Sequence, residues 1–316
     1  MKYFMKQALM RKVIFALIPL QVLGILFFGW RTFFLLIINT VIAAIIEWGF
    51  VRKTTGKISE AVVVTAMLFT LTLPPSLPYW ISGIGIAFGV LFGKMVFGGF
   101  GKNPFNPALV GRAFIYVNFP SFMTGQWQLP QGLNGALAYS VDTVSQATPM
   151  SLFRQTGEMT ALPQMLIGNI SGSIGETSAA AIIVIAIVLL VKKVIAKDTF
   201  WSVIISFIVF DTAFYLLGST AVPNPLYGLL SGGILFGATF MATDPISSPK
   251  TVWGKRLYGI IIGGVTVIIR GYALFSGGVM FAILIGNTFA PILDELVTAL
   301  KKSKTPVKAG KEASHG

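Results

Sequence analysis

The chain contains no cysteine, and its single histidine is His315, in a polar tail near the carboxyl terminus. Disulfides and thiolate-bound iron–sulfur clusters are therefore excluded within this chain, as are zinc or haem sites built on histidine and cysteine. The sequence also lacks a glycine-rich turn of the kind that follows a strand in dinucleotide-binding proteins. We predict no catalytic residue and no metal site in this chain.

Charged residues are also scarce. They make up 11% of the 316 residues, whereas 54% are hydrophobic, and a typical soluble domain carries roughly 25% charged residues. A helix that spans a bilayer needs about 20 mostly apolar residues, and apolar runs recur from Val13 to Leu293. The sequence therefore predicts an all-α polytopic membrane protein.

We place ten transmembrane helices in these apolar runs, with short turns rich in Gly, Pro, Lys and Arg between them. They lie near residues 13–29, 32–50, 60–73, 79–97, 104–119, 178–195, 200–217, 224–243, 257–269 and 273–297. The first follows a basic start, as a signal peptide does. Because no small-residue cleavage site follows it and further spans do, we expect this helix to be retained.

The net charge of +13 is unevenly distributed along the chain. Twenty of the 24 basic residues fall in alternate connecting segments or at the two chain ends. Lys94 and Lys102 belong to these twenty. The exceptions are Arg31, Arg112, Arg154 and Arg270. Since basic loops stay in the cytoplasm, both termini are predicted to be cytoplasmic. The excess of basic residues therefore indicates a protein inserted in a lipid bilayer, and we expect no nucleic-acid partner.

The ten predicted spans form two sets of five around the longest loop. Because five is odd, the second set enters the membrane inverted, as in many transport proteins, and the echo of Thr72-Leu-Pro74 in Thr243-Asp-Pro245 supports such a repeat. The predicted units are a first five-helix half at 1–119, an external loop at 120–177, a second five-helix half at 178–299 and a disordered cytoplasmic tail at 300–316.

The external loop contains the segment Asp142-Thr-Val-Ser145-Gln146-Ala147-Thr148. It resembles the Asp-x-x-Ser-Gly-Ala-Thr motif of the NqrB/RnfD family, in which a flavin transferase attaches FMN through its phosphate to the Thr hydroxyl. The resemblance implies a covalent FMN on Thr148. The small neighbours Ser145 and Ala147 would let the transferase approach, and Asp142 would help to present the segment. Gln146 stands where the family has Gly. A loop rich in Ser and Thr also produces such a motif by chance.

A second segment, Gly98-Gly-Phe-Gly-Lys-Asn103-Pro-Phe-Asn106-Pro-Ala-Leu-Val-Gly-Arg112, is similar to the one that opens the fifth span of RnfD and NqrB. There, two Asn side chains lie near a non-covalently bound riboflavin, which the resemblance implies for Asn103 and Asn106. From the residues alone, Gly and Pro interrupt the helix here, and the two Asn side chains are equally suited to capping it. Both interpretations remain open.

The likeness extends from the first span to Asp294, and the missing amino-terminal extension favours RnfD over NqrB. It implies a membrane electron-transfer subunit of an ion-translocating ferredoxin:NAD+ oxidoreductase that moves Na+ or H+ across the bacterial cytoplasmic (inner) membrane. The implied partners are the other Rnf-type subunits, which are iron–sulfur, flavin-bearing and membrane proteins, and a flavin transferase. Two other hypotheses remain: a solute channel or secondary transporter, which suits the same architecture, and a structural anchor without a chromophore.

Ionisable residues within the predicted spans are costly in a bilayer and usually functional. The candidates inside the spans are Glu47, Arg112 and Asp211, and four more acids lie near span ends, namely Glu60, Asp244, Asp294 and Glu295. Pairing Arg112 with an acid would lower the cost, but the sequence does not name that acid. The turn at Thr243-Asp244-Pro245 is also similar to the family, and we expect it to end a helix. Thr239 lies in an apolar span, beyond the reach of a transferase.

Overall fold

The computed structural model describes residues 4–125, 127–140, 146–273 and 278–304. Of these described residues, 69% are helical. In chain order, the described helices are α1 (Ala8–Phe28), α2 (Arg31–Val51), α3 (Ala61–Leu71), α4 (Tyr79–Val90), α5 (Pro107–Asn118), α6 (Pro120–Thr124), α7 (Pro149–Thr156), α8 (Leu162–Ile167), α9 (Ala179–Val191), α10 (Lys197–Leu216), α11 (Pro225–Leu230), α12 (Ile234–Phe236), α13 (Val252–Tyr272) and α14 (Gly278–Lys304).

Short elements complete this framework. Two π-helical turns, Leu91–Met95 and Gly237–Met241, follow α4 and α12, and a 3-10 helix covers Gly132–Leu137. Two strands of two residues, β1 (Phe4–Met5) and β2 (Ile58–Ser59), pair in parallel. This pairing ties the chain's first described residues to the connection between α2 and α3.

Among the described residues, five helices are long and apolar enough to cross a membrane, namely α1, α2, α10, α13 and α14. The helices α3, α4 with its π turn, and α9 are shorter but apolar. These elements suit the predicted polytopic membrane protein. The number of ten spans and the inversion of the second half stay predictions.

The prediction of one continuous helix near 224–243 is wrong. The chain there forms α11, α12 and a π-helical turn, with Ser231–Gly233 between the first two. Gly232 has a φ of +71°, a left-handed conformation that glycine adopts without steric cost. Asn224 caps α11 by accepting a hydrogen bond from Leu226 N at 2.9 Å. The break therefore has a local cause in the sequence, a Gly-Gly pair after a short capped helix.

The two halves pack in the same order. In the first half α2 packs on α4 and α4 on α5, and in the second half α10 packs on α13 and α13 on α14. The short α3 contacts α2 and α5, just as the π turn after α12 contacts α10 and α14. This shared order supports a structural repeat.

The long connection between α5 and α9 closes one end of the helix bundle. Trp30 N and Arg31 N donate to Ala138 O at 3.2 Å and Tyr139 O at 2.7 Å. Gly175 N donates to Leu71 O at 2.7 Å, where α3 ends. The loop thereby accepts hydrogen bonds from open N–H groups at the start of α2 and donates one to an open carbonyl at the end of α3. A membrane protein must satisfy such groups internally.

Candidate functional site

Thr148 occupies the amino terminus of α7, in the long loop. Its backbone is extended, and its Oγ1 accepts a hydrogen bond from Ser151 N at 3.3 Å, so it is the N-cap of the helix. Thr148 is half-buried, whereas Gln146 and Ala147 are exposed. A hydroxyl at this position faces the positive end of a helix, where a phosphate group is stabilised. Asp142 and Ser145 lie outside the described residues.

The helix that follows Thr148 is anchored to the second half of the protein. Pro149 and Met150 are buried. The hydroxyl of Tyr227, in α11, donates to Pro149 O at 2.9 Å and accepts from Thr160 N at 3.3 Å. Arg154 Nη2 donates to Ala273 O at 2.5 Å, at the end of α13. Thr148 is therefore held in a fixed place on the loop end of the bundle.

Asn103 and Asn106 lie at the opposite end of the fold, beside a cavity of about 60 Å³. Asn106 Oδ1 accepts from Ala108 N at 3.0 Å and caps α5, and Asn103 Nδ2 donates to Phe105 O at 3.0 Å. Both side chains are buried. Within the described part of the chain, Asn106 Nδ2 and Asn103 Oδ1 have no hydrogen-bond partner. The two amides thus cap the helix and also keep one polar group each for a ligand.

The cavity has contributors that the sequence did not indicate. Besides the two Asn residues, Lys94, Thr239, Thr243 and Asp244 line it. Asp244 Oδ1 accepts from Ile246 N at 3.0 Å, and its Oδ2 accepts from Ser247 Oγ at 3.1 Å, which is the geometry of a turn that ends a helix. The repeated Thr-x-Pro pattern was the sequence signal for this turn, but it gave no indication of the cavity.

The ionisable residues in the predicted spans have different surroundings. Arg112 Nη1 pairs with Glu176 Oε1 at 3.2 Å, and its Nη2 lies 3.5 Å from Ser173 Oγ. Asp211 is buried, and its Oδ2 has no hydrogen-bond partner among the described residues. Arg270 is buried nearby and donates through Nη1 to Gly228 O at 2.8 Å. The acid that Arg112 needs is thus supplied by the loop before α9.

The two candidate sites are separate. The structure brings Asn103 and Asn106 together at one cavity, and Thr148 is not among the residues that line it. In the described part of the chain, no group of three or more His, Cys, Asp or Glu residues is arranged to hold a metal ion. The geometry offers one hydroxyl for covalent attachment, and one small cavity beside two Asn side chains that each use one polar atom in a hydrogen bond to the backbone.

Comparison with known proteins gives the family. The profile of the "NQR2, RnfD, RnfE family" matches residues 4–302. The NqrB subunit of the Na+-translocating NADH-quinone reductase of Azotobacter vinelandii is 41% identical over 256 residues, which cover 78% of this chain and 61% of the relative. The protein of the same name from Pseudomonas paraeruginosa is 41% identical over 254 residues, covering 76% and 60%. The chain spans about three fifths of the length of these relatives, and it belongs to the NQR2, RnfD, RnfE family.

Proposed function

We propose that this protein is a membrane electron-transfer subunit of an ion-translocating oxidoreductase, in which electron flow drives Na+ or H+ outward. Family membership supports this function, as does the name of the relatives, which describes a subunit of a sodium-translocating NADH-quinone reductase. The resemblance to RnfD favours ferredoxin and NAD+ as the redox partners of the complex. Other subunits supply the sites for those partners.

The proposal includes a covalent FMN on Thr148. The observation that carries it is the position of this hydroxyl, half-buried at the start of α7 and preceded by the exposed Gln146 and Ala147. A transferase has access to such a segment, and Ser151 N, which donates to Thr148 Oγ1 at 3.3 Å, is placed to donate to a phosphoryl group there. The flavin supplies the redox chemistry. The chain holds the attachment point through Tyr227 and Arg154.

The proposal also includes a non-covalent riboflavin at the cavity beside Asn103 and Asn106. The free Nδ2 and Oδ1 groups of these residues suit the donor and acceptor edge of a flavin ring. The cavity of about 60 Å³ is smaller than a small-molecule pocket, which typically measures about 300–1,000 Å³. Binding of a flavin therefore requires the walls of the cavity to separate. One of these walls is formed by Leu9, Met10 and Val13 of α1.

Covalent attachment is tested by expressing the full chain with a flavin transferase and examining it on a denaturing gel under ultraviolet light. Fluorescence is expected in the wild type and absent in Thr148→Ala. Thr148→Asn also abolishes attachment but keeps the N-cap, so it separates loss of the hydroxyl from loss of the helix. Thr156→Ala, in the same helix, is the matched control and keeps the fluorescence.

The same gel distinguishes the other hypotheses. A solute transporter or a structural anchor needs no chromophore, so a wild-type chain that stays colourless with an active transferase present would contradict the redox function. If Gln146 hinders recognition, Gln146→Gly raises the labelled fraction, and the fluorescence still depends on Thr148. Loss of fluorescence in Thr156→Ala as well would show that the variants fail to fold.

The riboflavin is tested separately, by extracting free flavin from the purified protein with acid. Asn106→Ser keeps a side-chain cap on α5 but removes Nδ2, so it is expected to lower the extracted flavin while the fold persists. Asn118→Ser, at the far end of the same helix, is the control. An unchanged flavin content in Asn106→Ser contradicts this site and leaves the attachment at Thr148 unaffected.

A further inference from the structure

A groove runs along the outer face of the contact between α10 and α13. The two helices approach closely because Gly259 and Gly263 lie against Ser202 and Ser206: a Cβ on Gly259 would lie 2.5 Å from Ser202 Cβ, and one on Gly263 would clash with Ser206 Oγ. Ser206 Oγ donates to Gly259 O at 2.9 Å. Small residues four apart permit such close packing. Larger neighbours on both helices then form the sides of a groove of about 610 Å³.

The floor of the groove is apolar and open to the surroundings of the bundle. Ile205, Val209 and Ile260 line it, and their side chains are 56%, 58% and 46% exposed. From Lys197 to Val209 the groove follows thirteen residues of α10, a rise of about 18 Å at 1.5 Å per residue. Half the hydrocarbon core of a bilayer measures about 15 Å. The groove therefore has the length of one leaflet, which suits an acyl chain better than a compact solute.

The mouth of the groove is polar and basic. Lys197, Asp198 and Arg256 line it, and Arg256 bonds to Asp198 Oδ1 through Nε at 3.3 Å and Nη2 at 3.2 Å. The guanidinium also lies 4.9 Å from the ring centre of Trp253. Since Asp198 balances only one of the two cations, the mouth has a net positive charge. The half-exposed Trp201 and Trp253 mark the depth at which aromatic side chains meet lipid headgroups.

We propose that this groove binds one anionic phospholipid of the cytoplasmic leaflet. The headgroup phosphate lies at Lys197 and Arg256, and one acyl chain follows Ile205, Val209 and Ile260. Three observations converge on this occupant: the net charge of the mouth, the tryptophans beside it, and an apolar floor one leaflet long. Basic pockets between helices on the cytoplasmic side bind anionic lipids in this way. The proposal does not depend on the flavins.

The test measures lipid binding to the purified full chain. The detergent-solubilised protein is titrated with phosphatidylglycerol or with phosphatidylcholine, and bound lipids are counted by native mass spectrometry. The wild type is expected to hold one phosphatidylglycerol in preference to phosphatidylcholine. In the double variant Lys197→Ala, Arg256→Ala, we expect an affinity loss of about fivefold for each charge removed. The double variant Lys192→Ala, Lys255→Ala removes equal charge outside the groove and should leave binding unchanged.

A second pair of variants tests the floor without altering any charge. Val209→Trp fills the groove and is expected to abolish the bound lipid, whereas Val184→Trp places the same ring on the exposed face of α9, where valine is 60% exposed, and is expected to have no effect. Equal binding of the two lipids, or equal losses in test and control variants, would overturn the proposal. A photo-crosslinker placed at position 209 provides a test in cell membranes. If it captures a protein subunit and no lipid, the proposal is also overturned.

Discussion

Lys94 Nζ lies 2.8 Å from Glu47 Oε2, and both side chains are only 2% exposed. The charge pattern grouped Lys94 with the basic cytoplasmic segments, but it lies in the π-helical turn after α4, where Nζ also donates to Ser59 Oγ at 2.7 Å. Ser59 N in turn donates to Glu47 Oε1 at 3.1 Å. These three residues form a closed buried network that links the strand β2 to α2 and to the π-helical turn after α4.

Removing one member of this pair should destabilise the protein severely. An unpaired buried charge costs about 3–5 kcal/mol, whereas replacement of both charges by apolar groups is often tolerated. We therefore expect Lys94→Met to lower the midpoint of thermal unfolding in detergent, and Lys94→Met combined with Glu47→Leu to recover most of the loss. A double variant as unstable as the sum of the single variants would contradict this coupling.

The connection of the chain's first residues to α3 is predicted to depend on pH. Glu60 directly precedes α3; its Oε2 accepts from Gln7 N at 2.7 Å, and Gln7 Oε1 accepts from Ala61 N at 3.0 Å. The hydrogen bond from the Arg11 side chain, followed by that from Gln7 N, lowers the pKa of Glu60 below its ordinary value of 4.5. The carboxylate therefore stabilises the folded state above pH 4.5, and this contribution is lost as the pH falls through the lowered pKa.

Hydrogen exchange measures this effect directly. The protection factors of the amides of residues 7 and 61, each taken relative to the intrinsic exchange rate at the same pH, should be high at neutral pH and lower in acid, once Glu60 is protonated. Glu60→Gln should show the lower protection factors already at neutral pH and little further change in acid. If protection in the wild type is the same on both sides of the transition, Glu60 does not control this connection.

Close packing of α10 and α13 predicts a strong effect of one added methyl group. A Cβ on Gly263 would clash with Ser206 Oγ and would lie 2.6 Å from the backbone Phe207 N, and such overpacking costs about 1–3 kcal/mol. Gly263→Ala should therefore lower the unfolding midpoint. The control is Gly49→Ala, because Gly49 has no atom within 4 Å of an added Cβ and alanine favours a helix. Equal midpoints for the two variants would contradict the packing.

The sequence predicted what depends on short-range rules. Hydropathy placed α2 at 32–50, and the structure has Arg31–Val51, because a run of this length has to span the apolar layer as a helix. Capping by Asn106 was also predictable, since Asn before Pro is a common helix start. The broken helix near Gly232 was missed because hydropathy averages over a window and the flanking residues are apolar.

Long-range partners were not predictable. The sequence showed that Arg112 needs an acid within the membrane, but Glu176 is 64 residues away and lies in a loop that enters the bundle. Similarly, the cavity beside Asn103 depends on Thr243 and Asp244 from the other half of the chain. No local pattern encodes such contacts, because they depend on how the halves pack.

The anchoring of the Thr148 segment gives the last prediction. The substitution Tyr227→Phe removes only the hydroxyl of the side chain. The ring therefore keeps its place, with its centre 6.1 Å from that of the Phe153 ring. Pro149 O and Thr160 N would lose their partner, and each neutral hydrogen bond contributes about 0.5–1.5 kcal/mol. Hydrogen exchange should therefore quicken in residues 146–160 while the unfolding midpoint of the bundle stays nearly constant. Tyr215→Phe, at an exposed tyrosine of α10, is the control. If both variants behave alike, Tyr227 does not fix the segment, and its position on the second half must rest on Arg154.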